Sequence, residues 1–178
     1  MLQTTGCYKE YSIEGKDSTT VIKDSIIPIP AASNEFPDCT LCKESDELTL
    51  ATWNFKTGNS YLCGSADNAG FVGGNTFFTF FGPSACSIDT GMVLSVHLPV
   101  PFDQDRFDVL TSNTAFYYYD HHAPKDIFIS LPPTPFWVNI ESYIYSTGIV
   151  TGTFSGIVYK PNDDTAFISN GKFKVKLK

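Results

Sequence analysis

Five cysteines are the most reactive side chains in this sequence, and four of them fall between residues 39 and 86. Cys39-Thr40-Leu41-Cys42 is a C-x-x-C pair, and Cys63 and Cys86 follow singly. A zinc site built on thiolates usually takes two C-x-x-C pairs, and the second pair is missing here. A thioredoxin-like redox pair opens a helix beside a βαβ unit, whereas Pro37-Asp38 leads into an irregular stretch. Two disulfides among Cys39, Cys42, Cys63 and Cys86, in an exported domain, are the expected outcome. Four cysteines allow three connectivities, and spacing does not choose among them. Cys7 is left over. It follows Thr4-Thr5-Gly6, and a small residue before a cysteine resembles a lipoprotein cleavage site, although Thr4 stands where an apolar residue is usual. Cys7 is therefore the lipidation candidate, with a free thiol or an intermolecular bridge as the alternatives. Membrane contact is expected only through that lipid.

Other catalytic constellations are scarce. The three histidines are His97, in an alternating strand pattern, and the adjacent His121 and His122 in a loop. No H-E-x-x-H, P-loop or G-x-G-x-x-G occurs, and Gly82-Pro83-Ser84-Ala85-Cys86 lacks the second glycine of a nucleophile elbow. Asp103, Asp105 and Asp108 alternate in one segment and are the calcium candidates, without a complete twelve-residue binding loop; a solvated acidic loop is the simpler reading. A carboxylate pair for glycoside hydrolysis is set by spacing in space, so the sequence selects none. Aromatics offer a different chemistry. Phe116-Tyr117-Tyr118-Tyr119 and Phe136-Trp137 contain the candidates for a ligand-stacking platform, Tyr117, Tyr118 and Trp137. Neighbours on a strand point to opposite faces, so one of Tyr117 and Tyr118 must turn away from the core.

The elements that carry these residues read as β-strands. The chain has 178 residues, enough for one domain with a real core. Hydrophobic residues are 42% and aromatics 15%, which excludes general disorder. No apolar run reaches the ~20 residues of a membrane-spanning helix. A net charge of −7 argues against a large nucleic-acid interface. Charged residues are only 17%, and 13 Gly and 11 Pro punctuate the apolar runs, as in all-β domains. Residues 1–36 read as a flank or tether in which 21–30 could form an edge strand, and 37–178 as a single domain. Strands are expected near 48–55, 60–66, 75–81, 91–98, 114–119, 137–145, 149–159 and 172–177. Leu94, Val96, Ile140, Phe154, Phe173 and Val175 should face inward. Gly82-Pro83 should end the third strand, and Asn170-Gly171 should make a hairpin turn. The lysines at 172, 174, 176 and 178 should then line a solvated edge.

Ile149-Val150-Thr151-Gly152-Thr153-Phe154-Ser155-Gly156, Tyr159 and Ile168-Ser169-Asn170-Gly171-Lys172-Phe173-Lys174-Val175 resemble the closing segment of small exported β-sandwich proteins of Bacteroidetes type, many described as lipoproteins of unknown function. The resemblance covers about residues 75–178 and implies a cell-envelope or extracellular location. It supplies no catalytic residues. The expected protein is an antiparallel β-sandwich, immunoglobulin-like or jelly-roll-like, with no cofactor unless calcium. It is expected to be a non-catalytic binding or structural module for a glycan, an envelope or extracellular protein, or its own copies through residues 21–30. The alternative is a polysaccharide hydrolase using an Asp/Glu pair.

Overall fold

The computed structural model describes residues 39–44, 47–121, 127–161 and 164–178, and among them there is no helix. All of these residues belong to one compact unit, Ser33–Lys178. Cys7, the 21–30 segment and His122 lie outside the described residues.

Eleven strands follow in chain order: Thr52–Thr57 (β1), Ser60–Ser65 (β2), Asn68–Phe71 (β3), Phe77–Ser84 (β4), Ser87–His97 (β5), Arg106–Thr111 (β6), Thr114–Asp120 (β7), Phe128–Ile129 (β8), Phe136–Ile144 (β9), Ile149–Tyr159 (β10) and Thr165–Lys176 (β11). Their cause is the period-2 alternation of apolar residues. Val150, Phe154 and Val158 of β10 are buried, as are Leu94 and Val96 of β5, Ile140 of β9, and Phe173 and Val175 of β11. The chain is all-β and its strands pair antiparallel.

Two separate sheets were expected, and the arrangement differs. The eleven strands form one sheet, in which β1-β2-β4-β5-β7-β8-β10-β11 closes into a ring when β11 pairs with β1. The ring is an eight-stranded barrel; β9 and β6 extend from β10, and β3 lies on β4. β11 is therefore no edge strand. It has β10 on one side and β1 on the other, so its lysines lie on the outer face of a central strand.

The ring is thin at two seams. Gly64 and Ser84 are the sole registered pair between β2 and β4, and Tyr159 and Ile129 the sole pair between β10 and β8. Between these seams lie two well-paired halves whose side chains meet inside. Phe55 of β1 packs edge-on against Phe116 of β7, and Phe80 of β4 lies 5.0 Å from Phe173 of β11. The two halves explain why the strand pattern reads like a sandwich.

Phenylalanine fills this interior by lying over glycine. Gly152 is registered with Phe173, Gly171 with Phe154, and Gly156 with Phe136. A Cβ on Gly152 would come within 2.7 Å of the Phe173 ring, and one on Gly156 within 2.8 Å of the Phe136 ring. Glycine is needed here for the space it leaves.

Two turn expectations are corrected. Asn170-Gly171 makes no hairpin: β11 runs straight through it, and the register slips by one residue against both neighbours. Asn170 has a φ of +50°, so the left-handed residue of a turn serves as a β-bulge instead. Gly82-Pro83 does not stop β4, which continues to Ser84 at the seam.

Cys39–Cys86 and Cys42–Cys63 are disulfides, with Cα separations of 5.6 and 5.5 Å. Cys63 lies on β2, and Cys86 lies in the turn between β4 and β5. The turn carrying Cys39 and Cys42 therefore clips together the two strands that share one registered pair. Further support at that seam comes from Ala85 N donating to Cys63 O at 2.8 Å. Close approach depends on missing side chains: a Cβ on Gly64 would overlap the Pro83 carbonyl and the Trp53 indole, and one on Gly82 would overlap the Ser65 carbonyl.

Two outcomes follow for this seam. Gly64→Ala and Gly82→Ala should each lower the unfolding free energy by about 1–3 kcal/mol or more in denaturant titrations. Gly70→Ala, whose Cβ would meet only Lys178 O at 3.5 Å, should stay within ~0.5 kcal/mol of the parent. Equal stability of Gly64→Ala and Gly70→Ala would refute the close seam. Thiol counting on the unfolded, unreduced chain should find no thiol from Cys39, Cys42, Cys63 or Cys86, leaving at most that of Cys7.

Candidate functional site

The pairing registers align outward-facing residues of six strands in one row. Leu110 of β6 is opposite Asn139 of β9, Asn139 opposite Thr153 of β10, and Thr153 opposite Lys172 of β11. Lys172 is opposite Asn54 of β1, and Asn54 opposite Cys63 of β2. Residues registered across strands share a face. Between Leu110 and Cys63 at its ends, the row runs from the β6–β9 extension across one half of the barrel as a band of amide, hydroxyl and ammonium groups.

This band floors a hollow of about 460 Å³. Trp137 and Ser155, themselves registered, stand beside Asn139 and Thr153 on one side; Tyr61, Asn170 and Glu44 close the other. The concavity has a local cause. The Asn170-Gly171 bulge falls here, and both of its residues line the hollow. Trp137 is 42% exposed, while the other tryptophan, Trp53, is fully buried.

Glu44 reaches this rim because the Cys42–Cys63 bond ties its segment to the end of the band. Its Oε1 accepts from Asn170 Nδ2 at 3.4 Å. The Tyr61 hydroxyl also hydrogen-bonds to Glu44, and the adjacent carboxylate, with some burial, raises the Tyr61 pKa above the ordinary phenol value. Lys56 Nζ sits 5.4 Å from the centre of the Tyr61 ring. A second hollow, of about 470 Å³, adjoins the first through Lys172 and is lined by Glu47, Glu141, Thr151 and Lys174. The outer face thus offers an aromatic plate, three asparagines, hydroxyls and charges of both signs along one groove.

The residues singled out from sequence separate in space. Trp137 is in the hollow. Tyr117, on β7, is 37% exposed but does not line it. Tyr118 is no platform: it is fully buried, and its hydroxyl bonds to Thr90 Oγ1 at 3.3 Å. Strand alternation demanded that one of the two tyrosines face out, and it is Tyr117. Asp103 accepts from Arg106 Nη2 at 2.6 Å, and Asp105 from the Tyr145 amide at 2.8 Å. These two carboxylates brace the loop before β6, and Asp108 sits within β6 with a φ of +53°. His97 is exposed and stacks on Phe77, with ring centres 4.5 Å apart. Of the other lining residues, Asn170 and Lys172 read from the sequence as a turn and a solvated edge, and Glu44, Asn54, Tyr61 and Asn139 carry no site motif. The signal for Asn139 was present, since it alternates with Val138 and Ile140 in β9.

No family model, no curated protein and no solved structure matches the chain.

Burial raises the Tyr118 pKa above that of an exposed phenol, and the Thr90 and Ser84 hydroxyls offset part of the rise. Folded Tyr118 thus keeps its proton at a pH where the unfolded chain has lost it. Its contribution is fully present below pH ~10 and is lost as pH rises through the higher folded value. Unfolding free energy should therefore fall with pH above ~10. Tyr118→Phe should flatten that fall in part, because Tyr61, Tyr119 and Tyr143 are raised as well. An unchanged alkaline slope in Tyr118→Phe would contradict this assignment.

Proposed function

We propose that this chain is a non-catalytic binding module of the cell envelope or extracellular space, and that it recognises glycan in the hollow beside Trp137. The observation that carries the reading is the half-exposed indole standing beside a floor of amide and hydroxyl groups. A pyranose ring has apolar C–H faces and hydroxyls around its rim. The faces suit an aromatic plate, and the hydroxyls both donate and accept, as asparagine does. Asn139 and Asn170 line the hollow with Asn54 buried at its floor, so a sugar lying on Trp137 would meet amides along its rim. The adjoining second hollow extends the groove far enough for more than one sugar unit.

Two disulfides support export, since such bonds persist in oxidising compartments. The likeness of the closing segment to exported Bacteroidetes-type lipoproteins supports the envelope, with Cys7 as the residue that would carry the lipid. An envelope protein or another copy of the chain remains a partner of the same module in this reading, the latter through residues 21–30.

One observation favours the alternative, a polysaccharide hydrolase: Glu47 and Glu141 line the same hollow. Both are exposed. An acid catalyst for glycoside cleavage is instead kept in a water-poor pocket that holds its proton, so binding without turnover is the better-supported reading.

Tryptophan fluorescence tests it. With Trp53 fully buried, quenching by a soluble quencher should report mainly Trp137. A panel of soluble polysaccharides and oligosaccharides should contain one that protects Trp137 from quenching without releasing reducing ends. Trp137→Ala should weaken binding of that glycan by about 2 kcal/mol or more, roughly thirty-fold, with an unchanged unfolding curve. Equal affinity in Trp137→Ala would refute the site, and released reducing ends would establish the hydrolase.

A further inference from the structure

Cys39, Cys42, Cys63 and Cys86 come from three chain segments and meet on the seam between β2 and the β4–β5 turn, three of the sulfurs in one cluster and the fourth, that of Cys63, bonded to it through Cys42. The Cys39 and Cys42 sulfurs, not bonded to each other, lie 3.0 Å apart. The sulfurs of Cys39, Cys42 and Cys86 all lie within 4.8 Å of one another, and Cys63 is the bonded partner of Cys42. We propose that these cysteines, once both disulfides are reduced, form a closed four-thiolate site for a soft divalent ion of the zinc class.

The ligand set fits that chemistry. Tetrahedral coordination by four thiolates is characteristic of zinc, and a metal–sulfur distance of about 2.3 Å puts neighbouring sulfurs about 3.8 Å apart. The sulfurs of Cys39, Cys42 and Cys86 already lie within 4.8 Å of one another, and the unbonded Cys39–Cys42 pair at 3.0 Å. Rotation of the cysteine side chains opens the two bonded pairs to it, while the Cα separations of 5.6 and 5.5 Å stay those of a compact cluster. Cys39 and Cys42 are buried and Cys63 is half-buried, so an ion bound here would be enclosed, as structural zinc is. Cys86 is exposed, which lets a reductant reach the Cys39–Cys86 bond.

The steps balance. A dithiol reductant passes two electrons and two protons to each S–S bond and is itself oxidised to a disulfide, leaving four thiols. The ion then displaces four thiol protons to solvent and takes four thiolates. It would hold the Cys39–Cys42 turn across the seam in place of the two S–S bonds.

The test uses the full chain, reduced without air by a phosphine, which becomes its oxide with oxygen from water and leaves no competing thiol. Cobalt(II) alone should then bind at one ion per chain and show intense sulfur-to-metal charge-transfer bands, which zinc(II) should abolish. Cys63→Ser and Cys86→Ser should each lower the band intensity by roughly a quarter, one thiolate in four. Cys7→Ser should leave it unchanged. Zinc should raise the thermal midpoint of the reduced chain, and should refold it if reduction alone unfolds it. Absence of charge-transfer bands in a Cys7→Ser chain with all four remaining thiols counted would overturn the proposal. So would undiminished bands in Cys63→Ser, or a reduced, unfolded chain that zinc leaves unfolded.

Discussion

The interior of this barrel depends on phenylalanine rings lying over glycines of the next strand. A small barrel has room inside for little more than side chains. Phe136, Phe154 and Phe173 fill that room because Gly156, Gly171 and Gly152 give up theirs. The same strand reaches the surface. At the left-handed Asn170 β11 takes an extra residue, and Asn170 and Gly171 line the hollow that also holds Trp137 and Tyr61. One bulge thus borders both the core packing and the hollow.

A second constraint acts where the ring is thinnest. Strand pairing supplies cohesion within each half, but β2 and β4 share a single registered pair. Cohesion there comes from backbone contact at Gly64 and Gly82, from the Ala85–Cys63 backbone hydrogen bond, and from the two disulfides. Each bridge typically contributes about 2–4 kcal/mol by restricting the unfolded chain. The Cys42–Cys63 bridge also sets Glu44 at the rim of the hollow, so seam and site share a covalent link.

The strands with clean alternation were legible in the sequence. The expected 149–159 strand matches β10 end to end, and the six residues expected to face inward are buried. The short or one-sided strands were not. β3 and β8 have four and two residues, too few to show a period, and β6 exposes Phe107, Asp108 and Leu110 without alternation. Asn170-Gly171 misled for a physical reason: a hairpin turn and a bulge both require a left-handed residue, and only the partner strands distinguish them. The Cys39–Cys42 spacing showed proximity but no connectivity. The hollow draws on residues from 44 to 172, so no linear motif could announce it, although Trp137 and its polar neighbour Asn139 were both on the correct face of β9.

Ring closure by β11 bears on when the protein becomes competent. β11 pairs with β1 across more than a hundred residues of intervening chain, and such long-range contacts make folding slow relative to local hairpins. Lys172 and Asn170, on β11, meet Asn54 and Tyr61, from β1 and β2, only where that pairing has formed. The groove therefore exists only in a ring that β11 has closed on β1. Without β11 the Trp137 indole of β9 would stand with no Asn170, Gly171 or Lys172 across from it, so strand closure and hollow are one event.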